Sequence, residues 1–179
     1  MQKRYPRQLS RGANNAVVAL SPTEAGKLFA DDTRSDIGSE AEKMRFANEV
    51  NSLVVRFLRL DIHAPTDANA GGAPMLVMER LYPMDFRAYE QEKRDLWLDV
   101  FRDELAALHK AGFVHRDLRR PSNIVGAPFD NILLTAEGLR LIDVGISALR
   151  TSVGNDLFTR FVEHEHQKLE AFSEYFLER

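Results

Sequence analysis

Cysteine is absent from this chain of 179 residues, and long apolar runs are absent as well. Without cysteine the protein has no disulfide bond and no thiolate ligand for a metal, which fits a reducing compartment. No apolar stretch approaches the roughly 20 residues that a membrane-spanning helix requires, and the polar start MQKRYPRQ lacks the hydrophobic segment of a signal peptide. We therefore expect a cytoplasmic protein without a membrane span.

An excess of charge is also lacking, since the formal net charge is -3 at pH 7. Nucleic-acid-binding domains usually carry a strongly basic surface, so no nucleic-acid partner is expected. The basic cluster of Arg116, Arg119 and Arg120 is local and suits a phosphate group. Hydrophobic residues make up 44% of the chain and charged residues 28%, which is ordinary for a folded protein with one sizeable core or two small lobes.

The most informative stretch covers residues 115–145 and reads HRDLRRPSNIVGAPFDNILLTAEGLRLIDVG. An apolar run, NILL, is followed by a turn at residues 136–138 and by a second apolar run, which predicts a β-hairpin. Asp117, Asn131 and Asp143 flank these strands, so the hairpin would bring acidic and amide side chains to one edge. Carboxylate and amide oxygens suit a hard cation, and the pattern therefore predicts a site for metal and phosphate.

In order and wording this stretch resembles the catalytic core of the protein-kinase-like superfamily. The run LHKAGFVHRDL is similar to the family's entry into its HRD loop, and IDVG stands where the family has its DFG motif. The resemblance implies an α+β, two-lobed protein-kinase-like fold in one domain, with a small β-rich N-lobe containing one helix at about 1–80, a hinge at about 79–84 and a reduced helical C-lobe at about 85–179. It also implies ATP and Mg²⁺, or Mn²⁺, as cofactors.

Short apolar segments separated by turn residues predict a small antiparallel sheet over residues 8–30, with strands at 16–20 and 25–29. By the resemblance, Gly12 lies in the loop that covers the nucleotide. Lys27 stands where the family has the strand lysine that binds the α- and β-phosphates. A lone turn glycine and a lone strand lysine are usually ordinary surface residues, so both assignments depend on the downstream motifs.

A polar linker over residues 31–38 precedes a capping-box pattern of Ser39 and Glu42, which predicts the start of a helix. Apolar residues at three- and four-residue spacing predict its buried face: Phe46, Val50, Leu53 and Phe57. The resemblance implies that a glutamate of this helix forms an ion pair with Lys27. Glu49 matches the family's pattern best, Glu42 is the alternative, and a solvated position is the ordinary fate of either.

Residues 75–78 are predicted to form a strand that leads into the hinge. The resemblance implies that main-chain groups from Glu79 to Leu81 recognise an adenine edge and that Met78 lines the back of the pocket; an ordinary strand ending at a proline turn is the alternative. Residues 85–111 are predicted to be mostly helical and to stop at Gly112. The helix has a stripe of apolar residues at helical spacing: Leu98, Phe101, Leu105 and Leu108, widened by Trp97 and Val100.

Phosphoryl transfer requires charge neutralisation and an aligned acceptor more than covalent chemistry. The resemblance assigns Asp143 as the main Mg²⁺ ligand and Asp117 as the residue that accepts the proton of, or orients, the acceptor hydroxyl. His115 is expected to buttress this loop. Arg119 replaces the family's lysine and is expected to neutralise the transferred phosphoryl group. Val144 replaces the family's Phe, which argues against switching driven by that Phe.

The second metal ligand departs from the family's pattern. The family has an Asn after four residues that follow the HRD aspartate, and Ser122 occupies that position here. Counting back from the DVG motif, Asn131 has nearly the family's hairpin spacing, so we expect it to bind the metal and treat residues 120–129 as an insertion. Asn123 is the alternative ligand, and Asp130 could assist.

The residues after Gly145 contain no APE-like motif, and this short ending resembles that of RIO-type and other atypical kinases. In such proteins an acid in the helix after the DFG motif supports the catalytic loop, and Asp156 is the candidate. The alternating acids and histidines at 163–166 are predicted to form a solvated polar face, because alternate positions on a helix point apart.

We therefore expect an ATP-dependent phosphotransferase that acts on a hydroxyl, with a protein serine or threonine as the favoured acceptor. A small-molecule kinase acting on a sugar or antibiotic, and a nucleotide-binding pseudokinase or scaffold, are the alternatives. Lys27, Asp117 and Asp143 are all intact, which favours an active enzyme over a pseudokinase.

Overall fold

The structure, a computed structural model, describes residues 5–11, 15–29, 36–64, 72–122 and 126–178. The predicted site residues Gly12 and Asn123 lie outside these ranges. The architecture is α+β, with most strands in the first half of the chain and the longest helices in the second. None of the helices in the described ranges is long and apolar enough to span a membrane.

An antiparallel sheet of five strands begins the fold, in the order β1-β2-β3-β5-β4. Its strands are β1 (Arg7–Arg11), β2 (Asn15–Ala19), β3 (Glu24–Phe29), β4 (Phe57–His63) and β5 (Ala73–Glu79). The predicted strands at 16–20, 25–29 and 75–78 are confirmed to within one or two residues. β3 is the middle strand, and Lys27 lies opposite Val17 of β2 and Leu76 of β5.

Helix α1 (Ile37–Val50) follows β3 and contacts β4 and β5. Its N-terminal cap is Asp36, whose side chain accepts a hydrogen bond from the amide of Gly38 at 2.9 Å. The predicted capping box of Ser39 and Glu42 is therefore wrong. An acid three residues earlier satisfies a free amide of the first turn, and the helix starts there instead.

The predicted apolar stripe of this helix is also wrong beyond Val50. Asn51 has an extended backbone, and its side-chain oxygen accepts a hydrogen bond from the amide of Leu53 at 3.1 Å. This local bond competes with the helical pattern and ends the helix. Leu53 is buried in the link that follows, and Phe57 begins β4, a strand that the helical spacing concealed.

Two short strand pairs lie in the second half of the chain. β6 (Phe113–Val114) pairs with β9 (Ala148–Leu149), and β7 (Ile132–Thr135) pairs with β8 (Gly138–Leu141). The predicted hairpin is thus confirmed. Gly138 closes its turn with φ 117°, a conformation that favours glycine.

The hairpin is fastened to the link between α1 and β4. The amide of Val55 donates to the carbonyl of Leu141, and the amide of Leu141 donates to the carbonyl of Leu53, each at 2.8 Å. All three side chains are buried in the main core. These bonds hold the residues that follow β8 close to α1.

The remaining α-helices of the described ranges are α2 (Gln91–Ala111), α3 (Arg150–Val153) and α4 (Asn155–Leu177), and a short 3₁₀ helix at Phe86–Ala88 precedes α2. α2 ends at Gly112 in the left-handed conformation, as predicted. The core of its predicted apolar stripe is buried, Trp97 beside it is partly buried, and the stripe packs against α4 through rings such as Phe101 and Phe172, whose centroids are 5.5 Å apart. The exception is Val100, which is 57% exposed and does not widen the stripe.

Candidate functional site

Lys27 is the centre of an ion network that joins three elements. Its Nζ atom lies 2.7 and 3.0 Å from the two carboxylate oxygens of Glu40 and 2.8 Å from Oδ1 of Asp143. Lys27 and Glu40 are buried, whereas half of the Asp143 side chain is exposed. The lysine of β3, an acid of α1 and the acid after β8 therefore meet where one carboxylate remains open to a ligand.

Glu40 is the partner of Lys27, so the predicted pair of Lys27 with Glu49 is wrong. Glu49 and the alternative Glu42 are both exposed. An α-helix turns by about 100° per residue, so Glu49 lies on roughly the opposite face from Glu40. The predicted buried face of the helix followed Phe46 and Val50, which are only partly buried. The face that is buried consists of Glu40 and three smaller or more flexible residues: Ala41, Met44 and Ala47.

The charges in this network depend on one another. Burial alone would lower the pKa of Lys27, but the charges of Asp143 and Glu40 raise that pKa above its ordinary value. Burial also opposes the charge of Asp143, yet Lys27 brings the pKa of this carboxyl below its usual value. For Glu40, burial outweighs Lys27 and raises the pKa. Lys27 and Asp143 thus form a charged pair at neutral pH.

Two residues of the site have unusual backbone conformations. Asp143 has φ 59° and Arg116 has φ 71°, both in the left-handed region. Side chains with a Cβ rarely adopt this region, and such strain concentrates at functional sites. Here the strained residues belong to the two segments that carry the acids Asp117 and Asp143.

His115 ties the Asp117 loop to the residue that precedes Asp143. Its Nε2 atom donates to the carbonyl of Ile142 at 2.9 Å, and its Nδ1 atom accepts from the amide of Asp117 at 3.3 Å. The carbonyl can only accept and the amide can only donate, so this geometry requires the neutral tautomer with hydrogen on Nε2. The fully buried imidazole acts as a brace between two loops, which agrees with the predicted buttressing role.

Asn131 joins the acid of the loop to the start of β7. Its Nδ2 atom donates to Oδ2 of Asp117 at 3.0 Å and to the carbonyl of Asp117 at 2.9 Å. The carbonyl of Asn131 accepts from the amide of Ile142 at 3.0 Å. Ile142 therefore connects Asn131 and His115 to Asp143. Among bonds between described residues the side-chain oxygen of Asn131 has no partner, so it can accept a donor or a cation.

Glu165 of α4 holds the same loop from the other side. The buried carboxylate accepts hydrogen bonds from the amides of His115, at 3.2 Å, and Arg116, and it lies 2.9 Å from Nε2 of His109. Burial would raise the pKa of Glu165, but the hydrogen bond with His109 and the one from the amide of Arg116 bring it below its ordinary value. The predicted support by Asp156 is wrong, because Asp156 is exposed in the first turn of α4.

The sequence does contain a signal for Glu165. It follows Phe158 by seven residues and precedes Leu169 by four, so it shares the buried face of the helix with them. The prediction of a solvated face at 163–166 is correct for Glu163, His164 and His166, which are exposed, but wrong for Glu165. The alternation of acids and histidines over these residues drew attention away from the helical spacing that places Glu165 on the buried face.

Two cationic side chains donate hydrogen bonds to the main chain of the segment that follows Asp143. Nζ of Lys43, on α1, donates to the carbonyl of Gly145 at 2.8 Å, and Nη1 of Arg116 donates to the carbonyl of Ile146 at 2.9 Å. The Arg116 guanidinium also stacks on the ring of Phe161, 3.9 Å from its centroid. Lys43 was not singled out from the sequence, because a helix lysine has no distinguishing pattern.

The remaining predicted residues lie at the edges of this site. The guanidinium of Arg119 is exposed and lies 5.8 Å from the centroid of the Phe129 ring.

Met78 is partly buried and lies opposite Ala25 on β3. The side chain of Glu79 accepts from the amide of Arg56 at 2.8 Å and is ion-paired with Arg140. The roles predicted for Arg119, Met78, Glu79 and Leu81 stay predictions.

The donor set suits a magnesium ion. Within the described ranges no group of three or more His, Cys, Asp or Glu side chains forms a metal cluster. Mg²⁺ does not require one, since it is usually held by one or two carboxylates together with phosphates and water. The half-exposed carboxylate of Asp143 and the side-chain oxygen of Asn131 are of the kind that this ion prefers.

No protein-family model matches the chain, and no curated protein is significantly similar to it. The function is therefore argued from the geometry of the site.

Proposed function

We propose that this protein is a protein-kinase-like phosphotransferase that transfers the γ-phosphate of ATP to a hydroxyl, with Mg²⁺ as cofactor. In this proposal the five-stranded sheet and α1 form the nucleotide-binding lobe, and α2, the β7–β8 hairpin and α4 form the acceptor lobe. The observation that carries it is the contact of Lys27 with both Glu40 and Asp143, at 2.7 and 2.8 Å, across more than a hundred residues of chain.

In the proposed site Lys27 binds the α- and β-phosphates, and Glu40 keeps its side chain in position. The charge of Lys27 acts strongly because the residue is buried, where the effective dielectric constant is lower than in water. Asp143 and Asn131 are the residues that would hold Mg²⁺, and the bound ion supplies neutralisation of the charge on the β- and γ-phosphates. The open half of the Asp143 side chain supports this assignment.

Asp117 serves the acceptor. The acceptor oxygen forms a bond to the γ-phosphorus while the bond from this phosphorus to the β–γ bridging oxygen breaks, and ADP leaves. The proton of the acceptor hydroxyl passes to Asp117. Because Asn131 donates to Oδ2 of Asp117, Oδ1 is directed to the hydroxyl, and the brace through His115 keeps this carboxylate in register with Asp143.

The segment after β5 suits the adenine. The amides of Glu79 and Arg80 are used within the fold, by the carbonyls of Arg56 and Thr23, both at 2.9 Å. Among bonds between described residues, the amide of Leu81 has no main-chain partner, so it is the donor that we assign to the base. The carbonyl of Glu79 and the side chain of Met78 complete this proposed edge.

Substitution of Asp143 by Asn tests the proposal, because the amide keeps the size of the side chain and removes its charge. We expect Mg²⁺-dependent ATP consumption to fall by about 100-fold or more while circular dichroism shows an unchanged fold. The matched control is Asp156→Asn, which changes an exposed acid and should leave the rate unaltered. An undiminished rate in Asp143→Asn would rule out the metal assignment.

The same measurements separate an enzyme from a pseudokinase. A pseudokinase binds nucleotide, and its melting temperature rises with nucleotide concentration, but it shows no turnover with either Mg²⁺ or Mn²⁺. We expect both stabilisation and turnover. A rise in melting temperature with nucleotide but no turnover would support nucleotide binding and contradict the proposed transferase activity.

A further inference from the structure

A surface pocket of about 450 Å³ lies beside the proposed acceptor site. Its floor consists of partly or fully buried side chains, among them Phe129, Ala171 and Tyr175, and its rim carries exposed charged side chains, among them Arg87, Arg119 and Glu178. This volume falls within the range of about 300–1,000 Å³ that is typical of ligand sites. None of the roles proposed above requires this pocket.

The pocket adjoins Asp117 through the chain itself. Arg119 follows Asp117 by two residues, and Phe129 precedes Asn131 by two. Two residues span at most about 7 Å, and the amide of Arg120 donates to the carbonyl of Pro128 at 2.8 Å, which holds the two segments together. An acceptor with its hydroxyl at Asp117 therefore reaches this pocket with its neighbouring groups.

The rim carries the cations Arg87 and Arg119 and the acids Glu174 and Glu178, and of the two cations only Arg119 lacks an ion pair with a described residue. Glu178 is neutralised by Arg87 at 3.0 Å and by Arg94 at 3.2 Å. The Arg119 guanidinium lies 5.8 Å from the centroid of the Phe129 ring and forms no salt bridge with any described residue. Arg119, two residues after Asp117, is thus without a carboxylate among the described residues, and a guanidinium binds a carboxylate through two parallel hydrogen bonds.

We infer that this pocket is the subsite for a peptide segment of a protein acceptor and that Arg119 selects an acidic side chain close to the phosphorylated serine or threonine. This inference rests on the proposed function. The rim is exposed on both α4 and the loop, so a chain can continue past the pocket, and the aromatic floor takes an apolar neighbour of the acid. Arg119 then determines specificity rather than acting on the transferred group, as the sequence had predicted.

The test uses a serine/threonine peptide library in which one position at a time is fixed as Asp, Glu, Lys or Arg, with radiolabelled ATP and Mg²⁺. We expect an acidic preference of about tenfold at one position near the acceptor. Arg119→Glu should reverse this preference towards Lys and Arg. The control Arg160→Glu makes the same charge change at an exposed site of α4 outside the pocket and should keep the acidic preference.

A second variant fills the pocket instead of changing its charge. Ala171→Trp should lower peptide phosphorylation by about tenfold or more, with ATP turnover in the absence of peptide unchanged. Gln167→Trp, on the exposed side of α4, should leave both rates unchanged. Because Arg119 is exposed, the charge reversal remains decisive even if the Trp variant misfolds.

The outcomes distinguish this inference from the function on which it rests. An acidic preference that is absent in the wild type, or that survives in Arg119→Glu, overturns the inference. ATP turnover without phosphorylation of any peptide also overturns it and leaves a phosphotransferase with a small-molecule acceptor. Absence of both nucleotide binding and turnover overturns the proposed function itself.

Discussion

At the scale of single residues, Lys27 compensates two acids at once. Glu40 is buried with Lys27 as its ion-pair partner, whereas half of the Asp143 side chain is exposed to solvent. Removal of one partner from a buried ion pair leaves the other without compensation, which usually costs more than the pair contributes. The loss of stability on removal of Lys27 should therefore come mainly from the unpaired, buried carboxylate of Glu40 and less from Asp143.

We predict that Lys27→Met lowers the free energy of unfolding by about 3–5 kcal/mol at pH 7. The double variant Lys27→Met with Glu40→Leu should recover part of this loss, because no buried carboxylate is left unpaired. Urea unfolding of the two variants and the wild type measures both effects. Glu49→Gln, which the sequence had favoured as the partner position, should change stability by less than about 0.5 kcal/mol.

The pH dependence gives this prediction a second readout. Without Lys27 only burial acts strongly on Glu40, so the pKa of this carboxyl in the folded state rises further above its unfolded value. A raised carboxyl pKa costs stability above that pKa, and the cost fades as the pH falls. The deficit of Lys27→Met should therefore be smaller at about pH 5 than at about pH 8; an equal deficit at both would show that Glu40 is not the source.

At the scale of elements, α1 is held to the segment after β8 by two polar contacts. One passes from Glu40 through Lys27 to Asp143, and the other runs from Lys43 directly to the carbonyl of Gly145. The two helix residues are three positions apart and therefore lie on neighbouring parts of one face. The position of α1 thereby determines where Asp143 presents its carboxylate.

We predict that Lys43→Met loosens this attachment without unfolding the protein. A hydrogen bond from a charged group contributes about 1.5–3 kcal/mol, so kcat/KM for ATP should fall by about tenfold or more, and amide exchange in α1 should accelerate. Lys43→Arg should restore part of the activity, because it keeps a donor. Glu42→Gln, at an exposed position of the same helix, is the control. Unaltered exchange in α1 would contradict the proposed attachment.

The elements that the sequence predicts well are those in which one pattern acts alone. The β7–β8 hairpin has two short apolar runs joined by a turn with a glycine, and α2 has a long periodic stripe that ends at Gly112. The predicted bounds of α1 were wrong at both ends, because a cap at Asp36 and a side-chain hydrogen bond at Asn51 determine them instead of the apolar spacing. β4 was not predicted, because its first residue, Phe57, continues the four-residue spacing of apolar residues that is typical of a helix.

At the scale of the whole molecule, the acids of the proposed site could be predicted from the sequence, whereas the residues that support them could not. Asp117, Asn131 and Asp143 all belong to the stretch of residues 115–145 whose wording resembles the family's. Glu40 and Glu165 act from helices that precede and follow that motif, and their roles depend on helix phase, which a shift of one residue changes by about 100°. Sequence patterns therefore name the residues of such a site more readily than the residues that hold them.

Glu165 is the support that connects the most distant parts of the fold. Its carboxylate joins α4 to the loop at His115 and Arg116 and to α2 through His109. A carboxyl whose pKa is lower in the folded than in the unfolded state stabilises the fold above its unfolded pKa, and this stabilisation is lost as the pH falls. For Glu165 that loss should begin near its ordinary pKa of about 4.5 and continue below it.

We predict that Glu165→Gln lowers the free energy of unfolding by about 2–4 kcal/mol at pH 7 and flattens its dependence on pH below about 4.5, because the carboxylate that titrates there is gone. Urea unfolding at a series of pH values measures both effects. Glu163→Gln, two residues away and exposed, should retain the acid dependence of the wild type. If Glu165→Gln loses stability in acid as steeply as Glu163→Gln, then Glu165 does not connect α4 to the loop as a carboxylate. In that case the alignment of Asp117 must depend on His115 and Asn131 alone.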